Sequence, residues 1–106
     1  MSDRLERERP RLERLLAASS MEFTEEPLAD DRGALGAWRF TNADGDVEAD
    51  VYIVEDEPRA FLEQLGAGAS MNGAIVFAVR YVGPPEDAFE GQFRAGSVTG
   101  ALAGDE

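Results

Sequence analysis

The ten residues from Gly73 to Val82 read Gly-Ala-Ile-Val-Phe-Ala-Val-Arg-Tyr-Val, and the predicted fold is built around them. β-Branched and aromatic residues fill this run, and a Gly-Pro-Pro sequence follows it. It contains no acidic residue, although the chain has 22 of them. This pattern is typical of a strand buried on both faces. We therefore predict a central strand, with Ile75 and Phe77 on one face and Val76 and Arg80 on the other.

A β-hairpin is predicted upstream of this strand. Residues 34–41 and 47–54 both alternate apolar and polar side chains, as half-buried strands do. Asp44-Gly45 lies between them and is a strong signal for a tight turn. The hairpin and the central strand are expected to form one small sheet.

The hairpin register follows from the turn and from the alternation. If Asp44-Gly45 forms a two-residue loop, Trp38 lies opposite Val51 and Arg39 lies opposite Asp50. This register brings the large apolar side chains to one face. A shift by one residue would set apolar side chains of one strand against polar ones of the other. The sequence therefore predicts a register in which paired residue numbers sum to 89.

Three helices are predicted around these strands. The first covers about Pro10 to Ala18, because proline is tolerated in the first turn of a helix, and residues 1–9 form a frayed or kinked arm. The second is capped by Asp56 and ends at Gly66. The third covers Glu86 to Ala95 and carries two phenylalanines one turn apart, which we interpret as core anchors.

The connecting segments give weaker signals. Met21–Thr24 could form a short edge strand, and residues 25–33 indicate an acidic loop. Gly66–Asn72 is predicted to be a loop of small residues. Glycines at 96, 100 and 104 mark either a weak helix or a tail, and residues 104–106 are predicted to be disordered.

Together these elements predict one α+β domain over residues 10–103. Its sheet is small, mostly antiparallel and three- or four-stranded, and helices pack on at least one face, in the order α-β-β-α-β-α. The second hairpin strand, the second helix and the central strand could form a βαβ unit. If its two strands were parallel, the crossover would be right-handed.

Charge is the most distinctive global property of the chain. It has 22 acidic and 10 basic residues, a net charge of -12, and every basic residue is arginine. Such a charge weakens a compact state in dilute buffer, whereas molar salt shortens the screening length to about 3 Å. The composition resembles that of cytoplasmic proteins of extreme halophiles; an acidic protein from a high-GC genome without salt adaptation is the alternative. The charge argues against nucleic acid as a partner.

Several classes of chemistry and location are excluded or disfavoured. The chain has no cysteine and no histidine, so it lacks disulfides, thiol chemistry and the commonest general base. Its apolar runs are far shorter than the ~20 residues of a membrane-spanning helix. The N-terminus lacks the apolar stretch of a secretory signal. We therefore expect a cytoplasmic protein without membrane contact.

No catalytic, cofactor-binding or metal-binding residue can be assigned. Oxygen-bearing side chains occur at every second position of the hairpin, at Asn42, Asp44, Asp46, Glu48 and Asp50. An EF-hand loop would need an acidic residue where Phe40 stands, and alternation along a strand does not wrap ligands around an ion. The glycine pair at 66 and 68 precedes a strand rather than a helix, unlike a phosphate loop.

Two functional hypotheses remain. The first is a non-enzymatic interaction or regulatory domain that binds an unknown protein partner or itself, as a homodimer; Phe89 and Phe93 could supply such a surface. The second is a small-molecule-binding domain or minor enzyme with a pocket near Arg39, Tyr52 and Arg80. Arg80 is the odd polar residue in an apolar strand, and we expect it to pair with a neighbouring carboxylate.

Overall fold

The computed structural model describes residues 3–66 and 68–104, which form three α-helices and five strands. The helices are α1 (Asp3–Ala17), α2 (Pro58–Leu65) and α3 (Ala88–Ala103). The strands are β1 (Phe23–Pro27), β2 (Gly36–Asn42), β3 (Val47–Ile53), β4 (Ala69–Asn72) and β5 (Ile75–Tyr81), and a short 3-10 turn, Pro85–Asp87, leads into α3. Of the predicted tail, Gly104 caps α3, while Asp105 and Glu106 lie outside the described residues.

All five strands form one antiparallel sheet in the spatial order β1-β2-β3-β5-β4. The predicted α+β class with an antiparallel sheet packed by helices is confirmed, but the predicted number of strands is too low. Apart from the hairpin and the central strand, the sheet has two short edge strands, of which β1 overlaps the possible edge strand predicted at Met21–Thr24. Strand β1 runs into the predicted acidic loop, and β4 occupies the end of the predicted loop Gly66–Asn72. Strand β1 is mostly polar and β4 has only four residues, so their hydrophobic patterns are weak.

The predicted central strand corresponds to β5, which lies second from one edge, while β3 is the middle strand. Strands β3 and β5 pair antiparallel, so no parallel βαβ unit forms. The reason is β4, which follows α2 and then reverses into β5 at a turn where Gly73 has φ 61. Glycine adopts this left-handed conformation without a steric penalty.

The predicted hairpin register is confirmed, since Trp38 pairs with Val51 and Arg39 pairs with Asp50. The loop differs from the prediction. The amide of Gly45 donates a hydrogen bond to the carbonyl of Asn42 (2.9 Å), so the tight turn is centred one residue earlier than Asp44-Gly45. The carboxamide of Asn42 accepts hydrogen bonds from two backbone amides beyond the turn, each at 3.0 Å, and so ends the ladder. The loop between β2 and β3 covers four residues, 43–46. Its midpoint is the same as that of the predicted two-residue loop Asp44-Gly45, so the register is unchanged.

The core lies between one face of the sheet and helices α1 and α3. Leu12 and Leu16 of α1 and Val98 and Leu102 of α3 are buried against it. The sheet contributes alternate residues of its three inner strands, namely Phe40, Val47, Ala49, Val51, Ile53, Ile75 and Phe77. This face contains the large apolar side chains that the alternation predicted.

The opposite face of the sheet is covered only in part. Helix α2 packs over Ala37, Tyr52 and Val76 with Phe61, Leu62 and Leu65. Beyond α2 the same face carries charged side chains, and the second half of β5 is only partly buried. Burial of β5 on both faces is therefore confirmed for Ile75, Val76 and Phe77, and wrong for residues 78–81.

Helix α1 begins at Asp3, seven residues before the predicted start, with Pro10 inside it. Proline inside a helix removes one hydrogen bond and costs about 3 kcal/mol. Tertiary contacts of the first turns offset this cost. Leu5 packs against the core, and the guanidinium of Arg9 lies 4.6 Å from the centre of the Trp38 ring. Arg9 also forms an ion pair with Glu25 of the edge strand.

The ends of the other helices correct two further predictions. Gly66 ends α2 as predicted. The N-cap of α2 is Glu57, in a left-handed conformation, rather than the predicted Asp56. Helix α3 extends eight residues beyond the predicted Ala95, through Gly96 and Gly100, to Ala103. The glycine-spaced segment is thus a helix because its other side is buried in the core.

Candidate functional site

Helix α3 has two opposite apolar faces, one packed in the core and one largely exposed among the described residues. Gly91, Val98 and Leu102 face the core and are buried. At a rotation of 100° per residue, the stripe diametrically opposite consists of Phe89, Phe93, Gly96 and Gly100. We call these four residues the outer face of α3.

The two phenylalanines of the outer face are exposed rather than buried. Phe89 is 78% exposed and Phe93 is 67% exposed. Their interpretation as core anchors is therefore wrong. Their ring centres lie 5.2 Å apart at an interplanar angle of 80°, an edge-to-face contact. Together with Gln92 they line an open groove of about 280 Å³.

Two glycines continue this face towards the C-terminus. Among the described residues, no heavy atom other than those of its chain neighbours and the helix backbone lies within 4 Å of an ideal Cβ built on Gly96 or Gly100. No other part of the described structure packs closely on these two glycines. They therefore form a shallow, open strip beside the phenylalanine pair. The spacing of the four residues was visible in the sequence, but it did not indicate which side of the helix faces solvent.

Contacts on its inner side fix the rotation of α3. A Cβ on Gly91 would overlap the ring of Tyr81, so only glycine allows the helix to approach β5 this closely. Near the other end, the Asn72 side chain donates a hydrogen bond to the carbonyl of Leu102 (3.0 Å). Arg94 forms an ion pair with Asp46 of the hairpin loop. The outer face is thus presented on a helix that is anchored along its length.

The outer face is also poor in charge. From Gly91 to Gly104 the sequence carries a single charged residue, Arg94. The side-chain hydrogen bond from Asn42, followed by that from Arg94, lowers the pKa of Asp46 below its usual value. Both members of the Arg94–Asp46 pair are therefore charged at neutral pH. The part of the outer face beyond Phe89 therefore lacks excess negative charge, whereas Glu86, Asp87 and Glu90 flank Phe89 itself.

Arg39 and Arg80, the predicted ligand-binding arginines, lie on the open part of the other sheet face. Arg39 donates to Asp50 at 2.8 and 3.2 Å, and Arg80 donates to Asp50 at 3.2 Å and to Glu48 at 2.7 Å. The expected pairing of Arg80 with neighbouring carboxylates is confirmed. Partial burial of Asp50 would raise its pKa, but the hydrogen bonds from the two arginines outweigh burial and lower the pKa below its usual value.

Tyr52, the third residue of that predicted pocket, lies under α2. Its side chain is 5% exposed and its ring centre lies 5.0 Å from that of Phe61. Four surface grooves of about 210–280 Å³, formed by residues within 3–66 and 68–104, have walls that contain neither Tyr52 nor either arginine. None of these four grooves is therefore the predicted pocket of Arg39, Tyr52 and Arg80.

The alternating oxygen-bearing residues of the hairpin are divided among separate contacts. Asn42 and Asp46 bond to each other at 2.7 Å in the loop, whereas Glu48 and Asp50 point to the arginines of the open face. Within residues 3–66 and 68–104, no group of three histidine, cysteine, aspartate or glutamate side chains is placed to hold a metal ion.

Comparison with known protein families finds no family model that matches this chain, and comparisons with curated proteins and with solved structures find no match either. In the part of the chain that the structure describes, no helix is long and apolar enough to cross a membrane.

Proposed function

We propose that the protein is a non-enzymatic interaction domain that binds a protein partner through the outer face of α3, in the cytoplasm of a salt-accumulating organism. The observation that carries this proposal is the exposure of Phe89 and Phe93, at 78% and 67%. Two adjacent phenylalanines in water are costly, since burying each one fully contributes about 1.5–3 kcal/mol. Exposed apolar clusters of this kind mark interaction sites.

The surroundings of the two rings support this assignment. Aromatic side chains on an anchored helix lose little conformational freedom on binding, so most of their burial contributes to affinity. The segment from Gly91 to Gly104 carries only Arg94 as a charged residue, so a partner covering it desolvates few ions. The alternative, a small-molecule site near Arg39, Tyr52 and Arg80, has less support, because carboxylates already bind both guanidinium groups.

A photo-cross-linking experiment tests the proposal. A photoreactive amino acid replaces Gln92, which is exposed beside both rings, and the protein is expressed in a salt-accumulating host. We expect a discrete cross-linked protein after irradiation, because a bound partner would cover position 92. In a background carrying Phe89→Ser and Phe93→Ser, this product should disappear.

The matched control places the same photoreactive residue at Glu63, an exposed position of α2. The product should be absent or different there. If no product forms at position 92, or if it forms equally without the two phenylalanines, the outer face of α3 is not a binding surface and the proposal is wrong.

A further inference from the structure

We infer that the partner at the outer face is a second copy of this chain, with the two α3 helices packed antiparallel about a two-fold axis. In this arrangement Phe89 of each copy lies on Gly100 of the other, and Phe93 lies on Gly96. The inference rests on the proposed function of the outer face. It adds the identity of the partner and the register of the contact.

The spacing of the four residues carries the register. Both phenylalanine–glycine pairs have residue numbers that sum to 189, so one two-fold axis, passing between residues 94 and 95 of each copy, generates both contacts together. Two-fold interfaces require such self-complementarity, in which the same patch serves both partners. Parallel packing would instead place phenylalanine on phenylalanine and glycine on glycine. Only the antiparallel arrangement matches every large side chain with a small one.

The shape of the glycine strip allows a phenylalanine ring of the second copy to pack on it. Beyond the helix backbone and the chain neighbours, no atom of the described residues lies within 4 Å of an ideal Cβ at Gly96 or Gly100, so an incoming ring can contact the helix backbone. Small residues at a helix–helix contact let the two backbones approach closely. Neighbouring side chains on this surface, Gln92 and Ser97, are polar but uncharged and exposed. They form the rim of the contact.

The buried area is adequate for a reversible dimer. At the observed exposures, the two phenylalanines offer about 300 Å² of aromatic surface per copy, taking about 200 Å² for each ring side chain. Two copies therefore contribute about 600 Å² before the glycine strip and the rim are counted. A specific interface should exceed about 1,000 Å² in total, which two 16-residue helices of about 24 Å can reach.

Charge favours this face over others for contact between two identical molecules. Each copy has a net charge of -12, so most approaches bring acidic surfaces together. Acidic residues near the helix start, Glu86, Asp87 and Glu90, remain at the edge of the contact. Their repulsion is screened in concentrated salt. The dimer should therefore tighten as potassium chloride increases.

Sedimentation velocity of the purified chain tests the inference. We expect a monomer–dimer equilibrium in molar potassium chloride that shifts to monomer on dilution. Gly100→Leu should raise the dissociation constant at least about tenfold, because the new side chain fills the space in which Phe89 of the other copy packs. Phe89→Ser with Phe93→Ser should do the same. Ala60→Leu, a matched change at an exposed position of α2, should leave the equilibrium unchanged.

Thermal unfolding at low protein concentration serves as the folding check. Gly100→Leu should not lower the midpoint of the monomer, because the site is open and leucine favours a helix more than glycine does. A loss of association without a loss of monomer stability would support the contact. Association that is insensitive to Gly100→Leu would overturn it.

Spin labels determine the direction of the helices. The chain has no native cysteine, so Gln92→Cys and Ala103→Cys can each be labelled alone. In the antiparallel register, the two labels of a dimer are offset along the helix axis by about 8 Å at position 92 and about 25 Å at position 103. A longer distance at 103 than at 92 supports the register, whereas equal short distances indicate a parallel pair and overturn it.

The outcomes separate this inference from the proposed function. A monomeric pure protein that still gives a phenylalanine-dependent cross-link to a different protein in cells would overturn the inference and leave the proposed function standing. A dimer that survives both serine substitutions would use another surface and would overturn the inference. If the cross-link and the dimer are both absent, both proposals fail.

Discussion

Trp38 shows how a half-buried residue can fix a sheet register. Its indole lies over Gly36 of the same strand, where a Cβ would overlap the ring, and Arg9 of α1 stacks on the ring at 4.6 Å. Trp38 pairs with the fully buried Val51 across the hairpin. It therefore links the first helix to the register of the two inner strands.

We expect Trp38→Ala to destabilise the domain severely and Arg39→Ala to have little effect. Loss of a buried tryptophan costs roughly 3–5 kcal/mol, and the partial exposure of Trp38 favours the low end. Arg39 contributes a partly exposed ion pair with Asp50, worth at most about 1 kcal/mol, and less in high salt. Denaturant unfolding of both variants measures the difference. Equal costs for the two substitutions would contradict this account of the register.

Arg39 and Arg80 both donate hydrogen bonds to the carboxylate of Asp50. The contribution of this residue to the stability of the folded protein therefore depends on pH. Because the pKa of Asp50 is lowered in the folded protein, its contribution is complete above about pH 4 and is lost as the pH falls through the folded pKa. The side chains of Arg39 and Arg80 are 35% and 38% exposed, so water weakens the contribution.

We therefore predict that Asp50→Asn lowers stability at pH 7 by roughly 1 kcal/mol, which corresponds to about 4–8 °C in Tm. The difference from the parent protein should shrink as the pH falls below about 4, because the parent then loses the same charge. Thermal scans across this range measure it. Asp44→Asn, at an exposed loop position, is the control, and a gap that stays constant with pH would refute the prediction.

Among the elements, α3 depends most on glycine, and its glycines have opposite roles. Gly91 is buried against the ring of Tyr81, whose hydroxyl donates a hydrogen bond to the carbonyl of Pro84 (2.6 Å). The ring is therefore held in place and cannot easily move aside. Gly96 lies in open space on the outer face. Glycine inside a helix costs about 1 kcal/mol relative to alanine, so only a packing reason offsets that cost.

Alanine substitutions should separate these roles. Gly91→Ala should destabilise the protein by 1–3 kcal/mol, roughly the cost of overpacking a tight contact. Gly96→Ala should stabilise the monomer by about 0.5–1 kcal/mol through helix propensity alone. Both are measured by chemical unfolding at a protein concentration too low for association. If the two variants shift stability in the same direction, Gly91 is not packed tightly against the ring of Tyr81.

At the scale of the whole molecule, net charge sets the conditions for folding. Twelve uncompensated negative charges repel one another within a small domain, in spite of the ion pairs that bring arginines to many of the carboxylates. Raising the salt concentration from about 0.1 M to about 1 M shortens the screening length from about 10 Å to about 3 Å. Screening weakens the exposed ion pairs too, but the net repulsion is the larger effect.

We predict that the thermal midpoint rises markedly from dilute buffer to molar potassium chloride. A variant with Glu22, Asp44 and Glu63 changed to their amides should show a shallower dependence, because these exposed groups add to the repulsion. Calorimetry in the monomeric background, with both phenylalanines changed to serine, separates this effect from association. A midpoint that is flat or falls with salt would rule out salt adaptation.

The sequence by itself determined the features that depend on neighbouring residues. Alternation of apolar and polar side chains around Asp44-Gly45 fixed the hairpin register, and Gly66 fixed the end of α2. The apolar run at Ile75 located the inner strand β5. These patterns are local, since a period of two or a glycine end is encoded within a few contiguous residues.

Only the tertiary structure decided the features that depend on competition between distant surfaces. Helix α3 carries two apolar stripes, and the sequence does not say which one faces the core. The close approach at Gly91 and the fit of Val98 and Leu102 selected one stripe for burial and left Phe89 and Phe93 exposed. Similarly, contacts of the first turns of α1 with the sheet stabilise a helix that continues on both sides of Pro10. The edge strands form because they satisfy backbone groups of β2 and β5, which would otherwise lie partly buried without partners.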